Sequence, residues 1–270
     1  AGFSGGRKSI CPGLAAEGST FIFHGSAILS SPHAKGLKLE GNPVHERVLD
    51  VAKKAGCDMI VNVTMDSDFK LTGVFAGDLE KAHLAAAEKL CTYVTIPFDT
   101  HYDLVVTHTS YVGINHYQAA KSALICERVI KENGMAILVA HHTDSDPIGG
   151  PKYKDMMRLL KERGTQDFLR LICDPEWEFV PEQWQTQMWT KLFQKIPHEN
   201  LLYCNFEIPR ESFAWLPGMD TRKIAPEATT LQELVESSME WAVKELRNRL
   251  GRDPQIAVLP DGPYGIPVKS

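Results

Sequence analysis

The sequence predicts an α/β fold made of two α/β domains with parallel-type βαβ units. Three observations carry that prediction. Short runs rich in β-branched and aromatic residues alternate along the chain with longer runs of helical composition. Helix-start signals stand where helical runs begin, as in Asn42-Pro43 before Val44 and Asn115 before His116. Between Asp103 and Ala140 the order is strand, helix, strand, the unit that sets two parallel strands side by side. A chain of 270 residues accommodates two domains of roughly 150 residues each.

The elements follow from local pattern. Thr20-Phe21-Ile22-Phe23 is strand-like, and Val44 to Ala55 is a helix capped by Asn42. Asp58 to Val63 and Leu71 to Phe75 read as strands, and Leu79 to Leu90, rich in Ala, Lys and Glu, as a helix. Thr92 to Ile96 and Asp103 to Thr107 are strands. The Asn115-capped helix starts at His116 and ends at Gly134, and Met135 to Ala140 follows as a buried strand. Asp144 to Lys154, with Gly149-Gly150-Pro151, is a loop. Helices are expected at Lys152 to Arg163, Pro181 to Gln194 and Leu231 to Leu250, and strands at Leu201 to Cys204 and Ile256 to Leu259.

Composition narrows the functional classes. With 29 Lys and Arg against 34 Asp and Glu the formal charge is −5, which argues against a nucleic-acid binder. No apolar run approaches the ~18 residues of a membrane span, and the first residues lack the basic start and apolar stretch of a secretory signal. Six cysteines without a CxxC pair make neither a zinc framework nor a disulfide scaffold, so a reducing cytoplasm is the expected setting. Asn62-Val63-Thr64 matches a glycosylation sequon but lies inside a strand-like run, and is not read as a glycan site. The chain opens on Ala1 directly into a glycine-rich loop, which reads as the back part of a longer polypeptide.

The chemistry is sought where polar groups collect. Gly2-Phe3-Ser4-Gly5-Gly6-Arg7-Lys8-Ser9 invites comparison with a P-loop, but Arg7 separates Lys8 from the last glycine and Pro12-Gly13 breaks any following helix. What remains is an anion-holding loop, or a glycine turn with two solvated cations. His24 beside Gly25 is a candidate metal ligand or an ordinary hydrogen-bonded histidine. Tyr117 and Lys121 are four apart and share one helical face, close to an N-terminus that favours a carboxylate; the alternative is a packed Tyr and a solvated Lys. His141 and His142 lie at a strand exit. Neighbours on an extended chain point to opposite sides, so both do not easily reach one ion, and a loop-surface or pocket role is expected. His108 and His116 flank the loop before Tyr117 as pocket-rim candidates, and His33, His45, His83, His101 and His198 are read as structural or solvated.

The run Gly-Phe-Ser-Gly-Gly-Arg-Lys-Ser-Ile-Cys-Pro-Gly, with His24 sixteen positions after Lys8, resembles the nickel-dependent lactate racemase family of LarA-like 2-hydroxyacid racemases and epimerases. The likeness continues through Asn62-Val63, Val74-Phe75-Ala76-Gly77-Asp78, Ala82-His83 and Tyr117-Gln118-Ala119-Ala120-Lys121. It implies that Lys8 holds a nickel-pincer nucleotide covalently, that His24 binds its nickel, and that Ser4, Gly5 and Gly6 lie by its phosphate. It further implies that Tyr117, Gln118, Lys121 and Trp184 grip a small 2-hydroxy acid, with Trp177 and Trp189 close to Trp184 in sequence. The implied reaction inverts C2 by proton-coupled hydride transfer to and from the pyridinium ring. Two acid/base histidines and a carboxylate-binding Arg of the family would precede Ala1, so the resemblance implies that this chain alone is inactive, and separate maturation enzymes would build the cofactor. Residues 1–90 would then complete an N-terminal, cofactor-attachment domain, residues 91–230 form the substrate domain, and residues 231–270 supply a long helix and strand returning to the first, with the active site in the interdomain cleft. The rival readings are a non-catalytic binding or scaffold protein of the same fold without cofactor, and a nucleotide or phosphate-ester enzyme using the glycine loop.

Overall fold

Backbone contacts divide the chain into two units, Ala1–Thr95 and Ile96–Ser270. The structure is a computed structural model that describes residues 3–66 and 68–270.

The first unit runs α1 (Arg7–Ile10), α2 (Glu17–Phe23), α3 (Ser26–Leu29), α4 (Pro43–Ala55), β1 (Ile60–Met65), β2 (Leu71–Gly77) and α5 (Lys81–Val94). Asn42 sets the start of α4: its Oδ1 accepts from Val44 N and His45 N, its Nδ2 donates to Lys35 O and Lys38 O, and Pro43 opens the first turn. The helix buries Val48 against Cys11 and Phe23, and Leu49 and Ala52 against Leu79. β1 and β2 pair antiparallel, with Val63 opposite Val74 and Asn62 opposite Phe75. Period-2 alternation buries Asn62 and Thr64 and leaves Val61, Val63, Met65, Leu71 and Val74 as an exposed apolar face.

Thr20 to Phe23 is helical, not extended. A four-residue strand without a partner leaves its backbone groups unpaired, whereas the helix satisfies them internally and seats Phe23 on α4. α5 likewise runs on to Val94, through the strand expected from Thr92.

In the second unit the elements are β3 (Thr95–Phe98), β4 (Tyr102–His108), α6 (His116–Val129), β5 (Ile130–Val139), α7 (Pro151–Arg163), α8 (Thr165–Ile172), α9 (Gln183–Phe193), β6 (Leu201–Cys204), β7 (Met219–Asp220), α10 (Leu231–Leu250), β8 (Ile256–Leu259) and β9 (Ile266–Lys269). Five strands form a parallel sheet in the order β7-β6-β5-β4-β8, and β3 pairs separately with β9. Alternate strand residues feed two cores, as a sheet covered on both faces requires. Val105, Ala136, Leu138, Leu201 and Tyr203 pack under α6 to α9, while Leu104, Val106, Met135, Ile137 and Leu202 pack under α10 through Leu234, Ala242 and Leu246. The chain steps from β4 through β5 and β6 to β7, then returns to lay β8 on the other side of β4. The strand order therefore switches between β4 and β8, and ligands of open parallel sheets bind at the carboxyl ends beside such a switch.

Two expectations change here. Gly134 does not stop a helix: α6 ends at Val129, and Gly134 lies inside β5, where a Cβ would come within 2.7 Å of Ile130 Cγ1. Thr165 to Ile172 is a helix that the sequence reading passed over. α10 covers one face of the second unit's sheet and β8 forms its edge.

Candidate functional site

The glycine-rich turn is built around two residues with positive φ, Gly5 at +81° and Gly6 at +47°. Asn62 explains the first glycine, because its Oδ1 would lie 2.7 Å from a Cβ at Gly5. The same oxygen accepts from Gly6 N at 2.9 Å. Asn62 is thus committed to the turn, which agrees with excluding it as a glycan site. Ser4 and Lys8 are exposed, Arg7 is buried, and Lys8 N donates to Gly5 O at 3.0 Å to start α1. Ala1 and Gly2, where the expected loop begins, lie outside the described residues.

His24 is the C-terminal cap of α2 rather than a strand exit. Its Nδ1 lies 3.1 Å from Thr20 O. A carbonyl only accepts, so the proton is on Nδ1 and the lone pair on Nε2, the form in which a backbone-oriented imidazole meets a metal. Burial lowers the pKa of His24 and the charge of Lys8 lowers it further, against the bond to Thr20. The imidazole is therefore neutral at ordinary pH, and the Lys8 amine is near enough to act on it. Among the described residues no three His, Cys, Asp or Glu side chains gather around one point, so a metal here takes at most two ligands of this kind from the described residues.

In the second unit, α6 leaves the carboxyl end of β4, on the switch strand. Asn115 caps it by accepting from Gln118 N at 3.0 Å. Tyr117 and Trp184, 67 residues apart, meet directly, with Trp184 Nε1 donating to Tyr117 Oη at 2.8 Å. Gln185 Nε2 donates to Tyr117 O, and Phe179 stacks on Trp184 at 6.0 Å. Burial raises the Tyr117 pKa and the Glu182 charge adds to it, against the Trp184 bond, so the phenol stays protonated. Lys121, exposed, follows one turn later on α6, and Gln118 is half-buried in its first turn.

The structure separates the tryptophans that sequence spacing left together. Trp189 is fully buried and donates to Tyr153 Oη at 2.8 Å, while Trp177 donates to Gln183 Oε1. His141 and His142 do diverge: His141 is exposed on Glu207, and His142 is buried between Gly113 O and Tyr203 Oη. His108 is a structural lock, accepting from Ser110 N and bonding Pro260 O. His116 points into the core onto Tyr153 Oη at 2.7 Å and stacks on Trp189.

Two features carry no sequence signal. Tyr153 joins α6, α7 and α9: its hydroxyl meets His116 and Trp189, its ring meets Tyr117 edge-on at 5.1 Å, and its backbone N–H donates to Glu182. Arg7 meets His83 across 76 residues of sequence. Neither spacing marks a motif; only the fold brings the partners together.

Fold and site define a parallel α/β domain with a Tyr/Trp pair at a helix N-terminus beside the strand switch, and a helical unit with a glycine turn, an exposed Lys and a neutral His. Residues 99–203 match the lactate racemase C-terminal domain. A lactate racemase of Thermoanaerobacterium thermosaccharolyticum is 31% identical over 269 residues, taking in 97% of this chain and 57% of that protein. One of Lactiplantibacillus plantarum is 29% identical over 271 residues, taking in 100% and 58% respectively. The structure of the lactate racemase apoprotein from Thermoanaerobacterium thermosaccharolyticum superposes with a TM-score of 0.81 at 28% identity, over 99% of this chain and 60% of that one. A structural-genomics crystal structure from Thermotoga maritima shares the fold alone, with a TM-score of 0.63 at 15% identity over 100% of this chain and 63% of that one. Over residues 99–203 the chain carries a lactate racemase C-terminal domain, and it spans 57–58% of the length of the curated relatives it matches.

Proposed function

We propose that the chain is the cofactor-attachment and substrate-binding part of a 2-hydroxyacid racemase or epimerase acting on a lactate-like acid. The observation that carries this reading is the pairing of Lys8 with a neutral, backbone-oriented His24 in a chain whose relatives are named lactate racemases. The residues fit a nickel-pincer nucleotide in two respects. Asn62 Nδ2 and Arg7 Nε, beside the Gly5-Gly6 turn, are buried donors without a partner, which suits an anion such as the phosphate at Ser4, Gly5 and Gly6. A pincer also brings its own donors to nickel, so a single protein ligand, His24, is enough.

When bound, the group supplies an electron-poor pyridinium carbon that takes the C2 hydrogen with its electron pair. The chain's own residues do the holding. Lys8 carries the attachment and His24 the metal contact. Lys121 and the N-terminus of α6 attract the substrate carboxylate, Gln118 offers an amide, and Tyr117, fixed by Trp184, presents a protonated phenol beside an aromatic wall that excludes water. The acid/base histidines and an Arg for the carboxylate belong to a further N-terminal segment, and the apolar face of Val61, Val63, Met65, Leu71 and Val74 is the surface such a segment would cover. Without it the chain is inactive. Residues 1–90 with that segment form one domain in this reading, in a cytoplasmic protein loaded by maturation enzymes. All six cysteines are free, and no described helix is long and apolar enough to cross a membrane.

The test is intact mass and elemental analysis of protein made together with nickel-pincer maturation enzymes. A cofactor-sized mass increase lost in Lys8→Ala, with equimolar nickel lost in His24→Ala, is expected. No mass and no metal, with the N-terminal segment present, would leave a binding protein without cofactor.

A further inference from the structure

The first unit buries a cation with no acid partner among the described residues. Arg7 is 5% exposed. Its guanidinium donates to Phe3 O at 3.4 Å through Nη1 and Nη2, and Nη1 donates to His83 Nε2 at 2.7 Å. Guanidinium has no acceptor, so His83 Nε2 is the lone-pair nitrogen and the ring proton sits on Nδ1. The backbone of Ser4 and Phe3 acts on that ring against the effect of burial. His45, from α4, stacks on His83 with centroids 6.1 Å apart. Burial first, and the Arg7 charge second, push both imidazoles down to about 4. A neutral ring is the state this contact needs, since protonated imidazole has no lone pair to offer Arg7.

His83 therefore clasps the turn through the side chain of Arg7, whose guanidinium also reaches back to Phe3 O at the other limb. Asn62 pins the middle of the same turn through Gly6 N. The next residue is Lys8, whose backbone is held by Gly5 O on one side and Gly13 N on the other. We infer that His83 is the positioning residue for Lys8, anchoring the glycine turn to α5 through Arg7 so that the Lys8 side chain starts from a fixed point. The inference rests on reading Lys8 as the attachment residue, but the clasp itself is testable without any cofactor.

Trypsin supplies the first readout. Cleavage after Arg7 requires the buried guanidinium to leave His83 and enter the protease, so its rate reports the open fraction of the turn. Two variants separate hydrogen bonding from packing. His83→Phe keeps a ring and removes both nitrogens; His83→Gln keeps one acceptor and one donor. Cleavage after Arg7 is expected to rise about tenfold or more in His83→Phe and to stay within about threefold of the parent in His83→Gln, with cleavage after Lys54 unchanged in both. Equal rates in all three proteins, or a Gln variant as open as the Phe variant, would overturn the clasp. Should His83→Phe fail to fold, nitrogen NMR of the parent decides: a bare Nε2 and a protonated Nδ1 on His83 are expected, and the opposite tautomer overturns the inference. With maturation enzymes present, His83→Phe should lower the fraction of chain carrying the cofactor mass on Lys8 about tenfold, and His83→Gln should restore it. If the parent itself gains no mass, the cofactor reading fails while the trypsin and NMR results still decide the clasp.

Discussion

Replacing Tyr153 by Phe takes away one oxygen and leaves two buried groups without a partner. Tyr153 is fully buried, and its hydroxyl lies 2.8 Å from Trp189 Nε1 and 2.7 Å from His116 Nδ1. An indole N–H only donates, so the tyrosine oxygen accepts from Trp189 and passes its own proton to His116 Nδ1. His116 Nε2 already has no partner, so the imidazole would have none at either nitrogen. An unsatisfied buried group costs about 1–3 kcal/mol. Two such groups, less the desolvation no longer spent on the hydroxyl, give about 3 kcal/mol. All five tryptophans (177, 184, 189, 215 and 241) lie in Ile96–Ser270, so their fluorescence reports the second unit by itself. With a urea slope of about 2 kcal/mol per molar, the midpoint should fall by about 1.5 M at unchanged slope. A fall of less than about 0.5 M would show that the hydroxyl is not what holds His116 and Trp189, and would remove Tyr153 as the link between α6, α7 and α9.

Other consequences are equally direct. Trp184→Phe keeps the stack on Phe179 and removes the donor to Tyr117; in the complete, cofactor-loaded enzyme it should raise KM about tenfold with kcat within about threefold, and steady-state kinetics showing a loss in kcat alone would count against a binding role. Asp103 is buried at the start of β4. Burial opposes its ionisation, but Arg252, Gln255 N–H and Lys131 together hold its pKa down to about 2. Asp103→Asn should therefore cost about 2–3 kcal/mol at neutral pH in urea unfolding, and the parent should lose this contribution only as pH falls from about 4 to 2. His45, His83 and His198 are depressed to about 4, with burial as the main cause in each. The unfolded chain binds these protons first, near pH 6.5, so stability is complete above that pH and declines on the way down to about 4. Melting temperatures at pH 7, 5.5 and 4.5 should fall in that order, and a flat profile would contradict the buried neutral imidazoles.

Local signals were legible where one stretch of chain decides the outcome. The helix Leu231–Leu250 and the strands Leu201–Cys204 and Ile256–Leu259 form with the expected bounds. Asn42 and Asn115 cap the helices they precede because a short polar side chain reaches its own helix N-terminus whatever surrounds it. Thr20 to Phe23 was not legible, since a strand exists only if another strand pairs with it, and none does. Gly134 resembled a helix stop because glycine serves both chain reversal and close backbone approach, and the register of β4 on β5 makes it the second.

The candidate site divides along the same line. Sequence alone marked Lys8, His24 and Gln118 through the family resemblance, and Tyr117 and Lys121 through helical spacing as well, because each set lies within a short stretch of chain. Trp184 was marked only through the resemblance, with Trp177 and Trp189 close by in sequence, and His83 was read as structural or solvated. Those assignments depend on groups 67 and 76 residues apart being brought within hydrogen-bond distance. Sequence thus determined which side chains the helices and turns carry and roughly where those elements begin. Tertiary structure decided that Trp184 faces Tyr117, that Trp189 goes to the core, and that Arg7 is clasped by His83, because burial and hydrogen-bond satisfaction act across the folded unit and have no counterpart in local spacing.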